Sequence, residues 1–160
     1  MIYMRLSPGN FTAATLLLVG VSVAFSGNCQ KNTVLFVCEH GSAKSVIAAV
    51  YFNKLAKERN LPWEANTKGI NPESTLSRNT EQGLKSDHLL EGNIIPAKVS
   101  QKDLDEAAQI VLFFPLPQNL QPLSNTQTWN NLPPVSEDYG RARDAIILKV
   151  QALLDSLSKK

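Results

Sequence analysis

Cys38, Lys44 and Ser45 are the residues whose types and spacing could do chemistry. The cysteine ends an apolar, β-branched run, TVLFVC, and the stretch EHGSA separates it from Lys44 and Ser45, which open a helix-forming segment. Sulfur attacks as the thiolate, whereas a free cysteine thiol, with a pKa of about 8.5, is mostly protonated at neutral pH. Unpaired N–H groups at a helix N-terminus and a neighbouring cation both favour the charged sulfur. Lys44 supplies the cation, and Ser45 could donate a hydrogen bond to sulfur. The loop formed by Glu39, His40, Gly41, Ser42 and Ala43 could wrap its backbone N–H groups around an oxyanion, with Gly41 free to take a positive φ. The pattern fits nucleophilic attack by Cys38 on an oxyanion held by residues 39–44.

Such chemistry needs a strand to deliver the thiol and a helix to open behind it. Residues 33–38 read as a parallel strand buried on both faces, and residues 44–59 as a helix with Ile47, Val50, Tyr51 and Leu55 on its dry side. Residues 63–68 fit a second strand, closed by Gly69 and Asn71-Pro72, and residues 73–84 a second helix. Ser100 reads as an N-cap with Asp103 in the first turn of a helix through residue 108, followed by a third strand at residues 109–114, QIVLFF. Residues 115–134 hold five of the nine prolines and read as one long loop near the strand ends. A last helix is expected from Ser136, with Glu137 and Asp138 set against its dipole and Tyr139, Ala142, Ile146, Val150, Leu153 and Leu157 as its apolar stripe. Strands alternating with helices imply an α/β fold with a parallel sheet and helices on both faces. Ligands of such folds bind outside the C-terminal ends of the strands, where Cys38 stands.

VLFVC, five further residues, a cation and a serine resemble the active-site loop of the low-molecular-weight protein tyrosine phosphatases and of the arsenate reductases that share their fold. The likeness continues at Thr67-Lys68-Gly69-Ile70-Asn71-Pro72, where that family often carries Ser-Ala-Gly-Thr. Residues 129–146 are similar in order to the family's tryptophan, Asp-Pro loop and last helix. The resemblance implies a three-layer fold around about four parallel strands. It also implies Cys38 as nucleophile toward phosphorus or arsenic, Glu39 to Lys44 as the oxyanion holder, Ser45 as the helper of the thiolate, and a phosphocysteine that water hydrolyses. The expected ligands are phosphate, arsenate or a phosphomonoester, and no cofactor or metal is required.

Two departures from the family bear on catalysis. Its loop closes with arginine, whose planar fork holds two oxygens at once, whereas Lys44 gives point-charge contacts only; Lys68, in place of a small residue, could add a second positive charge. The family's Asp-Pro acid falls at Pro133-Pro134, so the expected aspartate is missing, and Glu137 and Asp138 stand where they would cap a helix. Without that acid, alkyl phosphates should be poor substrates while good leaving groups still react. Arsenate reduction would need an external thiol reductant, because the mature chain has no cysteines to spare for an internal relay.

With 160 residues, 43% of them hydrophobic, the chain fits one globular domain, from about residue 31 to 160, behind a distinct N-terminal segment. Residues 1–29 carry a single charge, Arg5, and residues 13–25, AATLLLVGVSVAF, are the right length for a secretory signal core. Export is therefore expected, to the periplasm or as a membrane-anchored lipoprotein. Cleavage after residues 24–26 and lipidation of Cys29 stand as alternatives. A Cys29–Cys38 disulfide is disfavoured, since a strand would hold the two at opposite ends. A net charge of +2, with no basic run interleaved with aromatics, argues against nucleic-acid binding. Two histidines, His40 and His88, make a metal site unexpected. Residues 41–45, GSAKS, partly match a nucleotide-triphosphate loop, but Cys38 and Ala43 stand where that loop needs glycines. Two bland readings also remain: Cys38 as a packed strand-end cysteine, and the whole protein as an inactive oxyanion-binding relative.

Overall fold

The computed structural model describes residues 32–122 and 125–159. The apolar run at residues 13–25 and Cys29, with the expectations of export and lipidation built on them, lie outside the described residues.

Four parallel strands form one sheet in the order β2-β1-β3-β4, with β1 at Thr33–Cys38, β2 at Glu64–Gly69, β3 at Gln109–Leu112 and β4 at Thr126–Thr128. The helices are α1 (Lys44–Glu58), α2 (Arg78–Ser86), α3 (Gln101–Glu106) and α4 (Tyr139–Leu157). Side chains of β1 alternate between two cores, as the period of a strand requires. Val34 and Phe36 join the core under α1 and α4, where Phe52, Ile47, Ile146 and Leu154 are fully buried. Leu35 and Val37 join the core under α3, with Leu104, Ile110 and Leu112. Burying both faces of β1 explains its unbroken apolar run, and each large side chain so removed from water contributes about 1.5–3 kcal/mol. The result is the expected three-layer α/β fold with helices on both faces.

Several boundaries differ from the sequence expectation. The second helix starts at Arg78 rather than residue 73, because Ser77 is its N-cap and its side chain accepts from the Thr80 N–H. The backbone before it is drawn into hydrogen bonds with the Cys38 loop. Helix α3 ends at Glu106, behind a capping box of Ser100 and Asp103, since Ala107 is already extended toward β3. Strand β3 stops at Leu112, and the last helix begins at Tyr139 with Asp138 as its cap. The supposed loop at residues 115–134 contains β4, a polar edge strand whose pairing with β3 defines it rather than any apolar pattern of its own. It leads into Trp129, whose N–H donates to the Leu112 carbonyl and whose ring packs between Phe36 and Phe113.

Asp87, at the end of α2, ties three helices together. Its carboxylate accepts from the hydroxyls of Tyr51 on α1 (2.7 Å) and Tyr139 on α4 (2.6 Å) and from Arg143 (3.0 Å). Gly83 lets α2 close on that knot, because an added Cβ would run into the Tyr139 ring. Burial opposes the Asp87 charge, but hydrogen bonds from Tyr139 and Tyr51 and the Arg143 guanidinium outweigh it and hold the carboxyl below its ordinary range. Burial and the same carboxylate push Tyr51 up to about 12. A folded-state pKa below the unfolded value stabilises the fold above about pH 4, and the gain is lost as pH falls through the depressed value. Asp87→Asn should therefore cost about 1–3 kcal/mol at neutral pH, with a smaller difference at about pH 3, as urea denaturation at the two pH values will report.

Candidate active site

The loop between β1 and α1 is held from outside. The Cys38, Glu39, His40 and Ser42 carbonyls accept from the N–H groups of Ile70 (3.0 Å), Asn71 (2.8 Å), Glu73 (3.1 Å) and Ser77 (3.0 Å). All peptide bonds described are trans, so each carbonyl pointing outward turns the N–H of the following residue inward. The N–H groups of Glu39, His40, Gly41 and Ala43 accordingly face away from the 70–77 segment. That of Gly41 is seen to do so, donating to Cys38 Sγ at 3.2 Å. Gly41 reaches this geometry at φ +62°, in the left-handed region that glycine tolerates.

Cys38 is a free thiol, 8% exposed, at the C-terminal end of β1. Its sulfur lies 3.0 Å from Ser45 Oγ in the first turn of α1. Thr67 of β2 donates its hydroxyl proton to the same Ser45 oxygen at 2.8 Å, which leaves the Ser45 proton to point at sulfur. The chain Thr67 to Ser45 to Cys38 thus delivers a second hydrogen-bond donor to the sulfur beside the Gly41 N–H. Ser45 is fully buried, so both hydrogen bonds are needed to satisfy it. The sequence marks Thr67 only by its place at the head of the Thr67-Lys68-Gly69 segment, with nothing local to link it to Ser45.

A cleft of ≈ 480 Å³ opens above the sulfur. Cys38, Glu39, His40, Ser42, Ala43 and Lys44 form its floor. Glu73, Ser77, Arg78 and Asn79 stand on one wall, and Phe113, Phe114, Pro134, Val135 and Ser136 on the other. Asn79 Nδ2 clasps the walls together by donating to the Val135 and Ser136 carbonyls, both at 3.1 Å. Among the described residues no cluster of histidine, cysteine and carboxylate side chains is arranged to hold a metal ion.

The structure brings together all the expected loop residues and separates one. Lys68 Nζ pairs with Asp103 of α3 at 3.2 Å and does not line the cleft. The reason is the period of a strand: Thr67 faces α1 and Ser45, so Lys68 must face the opposite side of the sheet. Lys44 is in the cleft, but its ammonium donates to the Leu132 carbonyl at 3.1 Å, which draws it toward the wall carrying Pro134. The missing acid is not supplied by Asp138, whose carboxylate accepts from the Arg141 N–H as the cap of α4. The titratable side chains that do line the cleft besides Cys38 and Lys44 are Glu39, His40, Glu73 and Arg78, and of these Glu73 and Arg78 carry no local sequence signal of a site.

No protein-family model matches the chain, and no characterised protein matches it by sequence. Solved structures do. The arsenate reductase from Archaeoglobus fulgidus superposes with a TM-score of 0.61 at 27% identity, over 76% of this chain and 98% of that one. The low molecular weight protein tyrosine phosphatase from Bacillus subtilis gives 0.67 at 13% identity, over 80% and 98%. YfkJ, also from Bacillus subtilis, gives 0.69 at 20% identity, over 79% and 94%. With the sheet order, the strand-end cysteine and the loop behind it already in place, this chain has the fold of the low-molecular-weight protein tyrosine phosphatases and arsenate reductases.

Proposed function

We propose that the protein is a cysteine-dependent phosphatase acting on phosphomonoesters with good leaving groups, aryl phosphates first among them. The observation that carries this reading is the sulfur of Cys38 at the floor of an open cleft, hydrogen-bonded by Ser45 and the Gly41 N–H, in a loop whose carbonyls are tied to residues 70–77 on its outer side. In the first step Sγ attacks phosphorus, the P–O bond to the leaving group breaks, and a phosphocysteine forms. In the second, water attacks that phosphorus, the S–P bond breaks and inorganic phosphate leaves with the thiolate restored. The loop N–H groups stabilise charge that grows on the equatorial oxygens, and the Lys44 ammonium adds positive field from its place on the Leu132 carbonyl. A phenolate leaves without a proton donor, and the absence of a carboxylate at Pro133-Pro134 disfavours poorer leaving groups.

Arsenate is the second oxyanion this cleft suits, and the likeness to an arsenate reductase supports that reading. Cys38 is the only cysteine among the described residues, so electrons would come from an external thiol. Export, with or without lipidation at Cys29, is also proposed, on the composition of residues 1–29.

The experiment is p-nitrophenyl phosphate hydrolysis by the wild-type protein and by Lys44→Arg. Wild type should turn over slowly, and a two-oxygen clamp in the loop should raise kcat/KM by roughly tenfold to a thousandfold. Turnover in Lys44→Arg with none in wild type would mean an oxyanion-binding relative rather than a phosphatase. Thiol-dependent loss of arsenate in parallel assays would favour the reductase reading.

A further inference from the structure

We propose that Arg78 is the guanidinium clamp of the cleft, holding two oxygens of a bound phosphate or phosphomonoester in place of the contact that Lys44 is unable to make. This rests on the oxyanion reading of the site. Arg78 is the first residue of α2 and lines the same cleft as Cys38 and its loop. Its backbone is anchored on both sides. Ser77 N–H donates to the Ser42 carbonyl and Glu73 N–H to the His40 carbonyl, which stitches the segment before Arg78 to the oxyanion loop. Asn79, the next residue, is fixed to the opposite wall through the Val135 and Ser136 carbonyls. The position of Arg78 relative to the sulfur is thus set by main-chain bonds before it and by the Asn79 side chain after it, and its own side chain is the part left to reach.

That side chain is uncommitted. Arg59 pairs with Asp155, and Arg143 with Asp87 and Asp144, whereas the exposed guanidinium groups of Arg78 and Arg141 have no hydrogen bond or ion pair among the described residues, and of these two Arg78 lines the cleft. The charge of the cleft asks for it as well. Glu39 on the floor and Glu73 on the wall bring two carboxylates to the cleft, and Lys44 alone, its ammonium turned to the Leu132 carbonyl, would leave an incoming dianion facing a net negative site. With Arg78 the carboxylates are balanced before the thiolate and the ligand are counted. A guanidinium also presents paired N–H donors in one plane, the geometry that fits two oxygens of a tetrahedral anion, whereas an ammonium offers a point charge.

The test uses the full chain, with inorganic phosphate as probe in isothermal titration and p-nitrophenyl phosphate as substrate. Arg78→Gln should weaken phosphate binding by about ten- to a hundredfold. Arg78→Lys should recover only part of the loss. Arg141→Gln, which removes the same charge from an exposed position outside the cleft, should bind phosphate like wild type. Equal phosphate affinity in wild type and Arg78→Gln would overturn the proposal while leaving the phosphatase reading standing. Full recovery by Arg78→Lys, or an equal loss in Arg141→Gln, would also overturn it, by showing that charge alone matters. A wild-type protein that neither binds phosphate nor hydrolyses the ester would overturn both this proposal and the reading beneath it.

Discussion

Cys38→Ser is expected to lower p-nitrophenyl phosphate hydrolysis by several orders of magnitude, because a serine hydroxyl in the same place is almost wholly protonated and a far weaker nucleophile. The substitution should spare the fold. The smaller oxygen can accept from the Gly41 N–H and from Ser45 as sulfur does, so the thermal midpoint should stay close to wild type. Phosphate binding should survive as well, since the groups that face the anion are the loop N–H groups and the cations of the cleft. Loss of turnover with binding retained separates a nucleophile from a packed strand-end cysteine. Turnover within tenfold of wild type would remove Cys38 from the chemistry.

Gly69→Ala should be nearly as damaging, from a residue that touches no substrate. Gly69 ends β2 and lies against the Cys38 loop so closely that an added Cβ would sit 2.7 Å from Gly41 N, 2.8 Å from the His40 carbonyl carbon and 3.0 Å from Gly41 Cα. All three are backbone atoms, so no side chain can swing away to make room. Relief has to come from separating the loop from β2. That movement would strain the neighbouring bonds from Ile70 and Asn71 to the Cys38 and Glu39 carbonyls. We expect a stability loss of about 1–3 kcal/mol. We also expect a fall in kcat/KM of at least about a hundredfold, because a displacement of the oxyanion donors on the order of 1 Å costs about that much. Chemical denaturation and steady-state kinetics measured together will separate the two effects. Wild-type kinetics in a folded Gly69→Ala protein would show that the loop does not need this contact.

The strand, loop and helix that make the site were legible because they follow from strong local rules. TVLFVC is continuous and apolar because β1 is covered on both faces, and α1 starts where Lys44 and Ser45 suggested it would. The rest depended on partners distant in the chain. Strand β4 is three polar, mostly exposed residues that β3 recruits as an edge, so no window of its own sequence marks it. Lys68 looked useful beside Gly69, yet the alternation of β2 sends it to Asp103 and sends Thr67 to Ser45 instead. Arg78 sits 40 positions after Cys38 in the chain and reaches the cleft only because backbone hydrogen bonds fold residues 71–77 over the loop. The Lys44 ammonium was expected over the oxyanion; the Leu132 carbonyl, 88 positions away, draws it aside.

The central claim is covalent catalysis by the Cys38 sulfur, and its most direct measurement is acid quenching of the wild-type protein during p-nitrophenyl phosphate turnover, followed by peptide mass spectrometry. The predicted result is one phosphoryl group on the peptide carrying Cys38, attached to sulfur, and absent from Cys38→Ala treated in the same way. Turnover that proceeds with no phosphoryl group on Cys38, and that persists in Cys38→Ala, would contradict it.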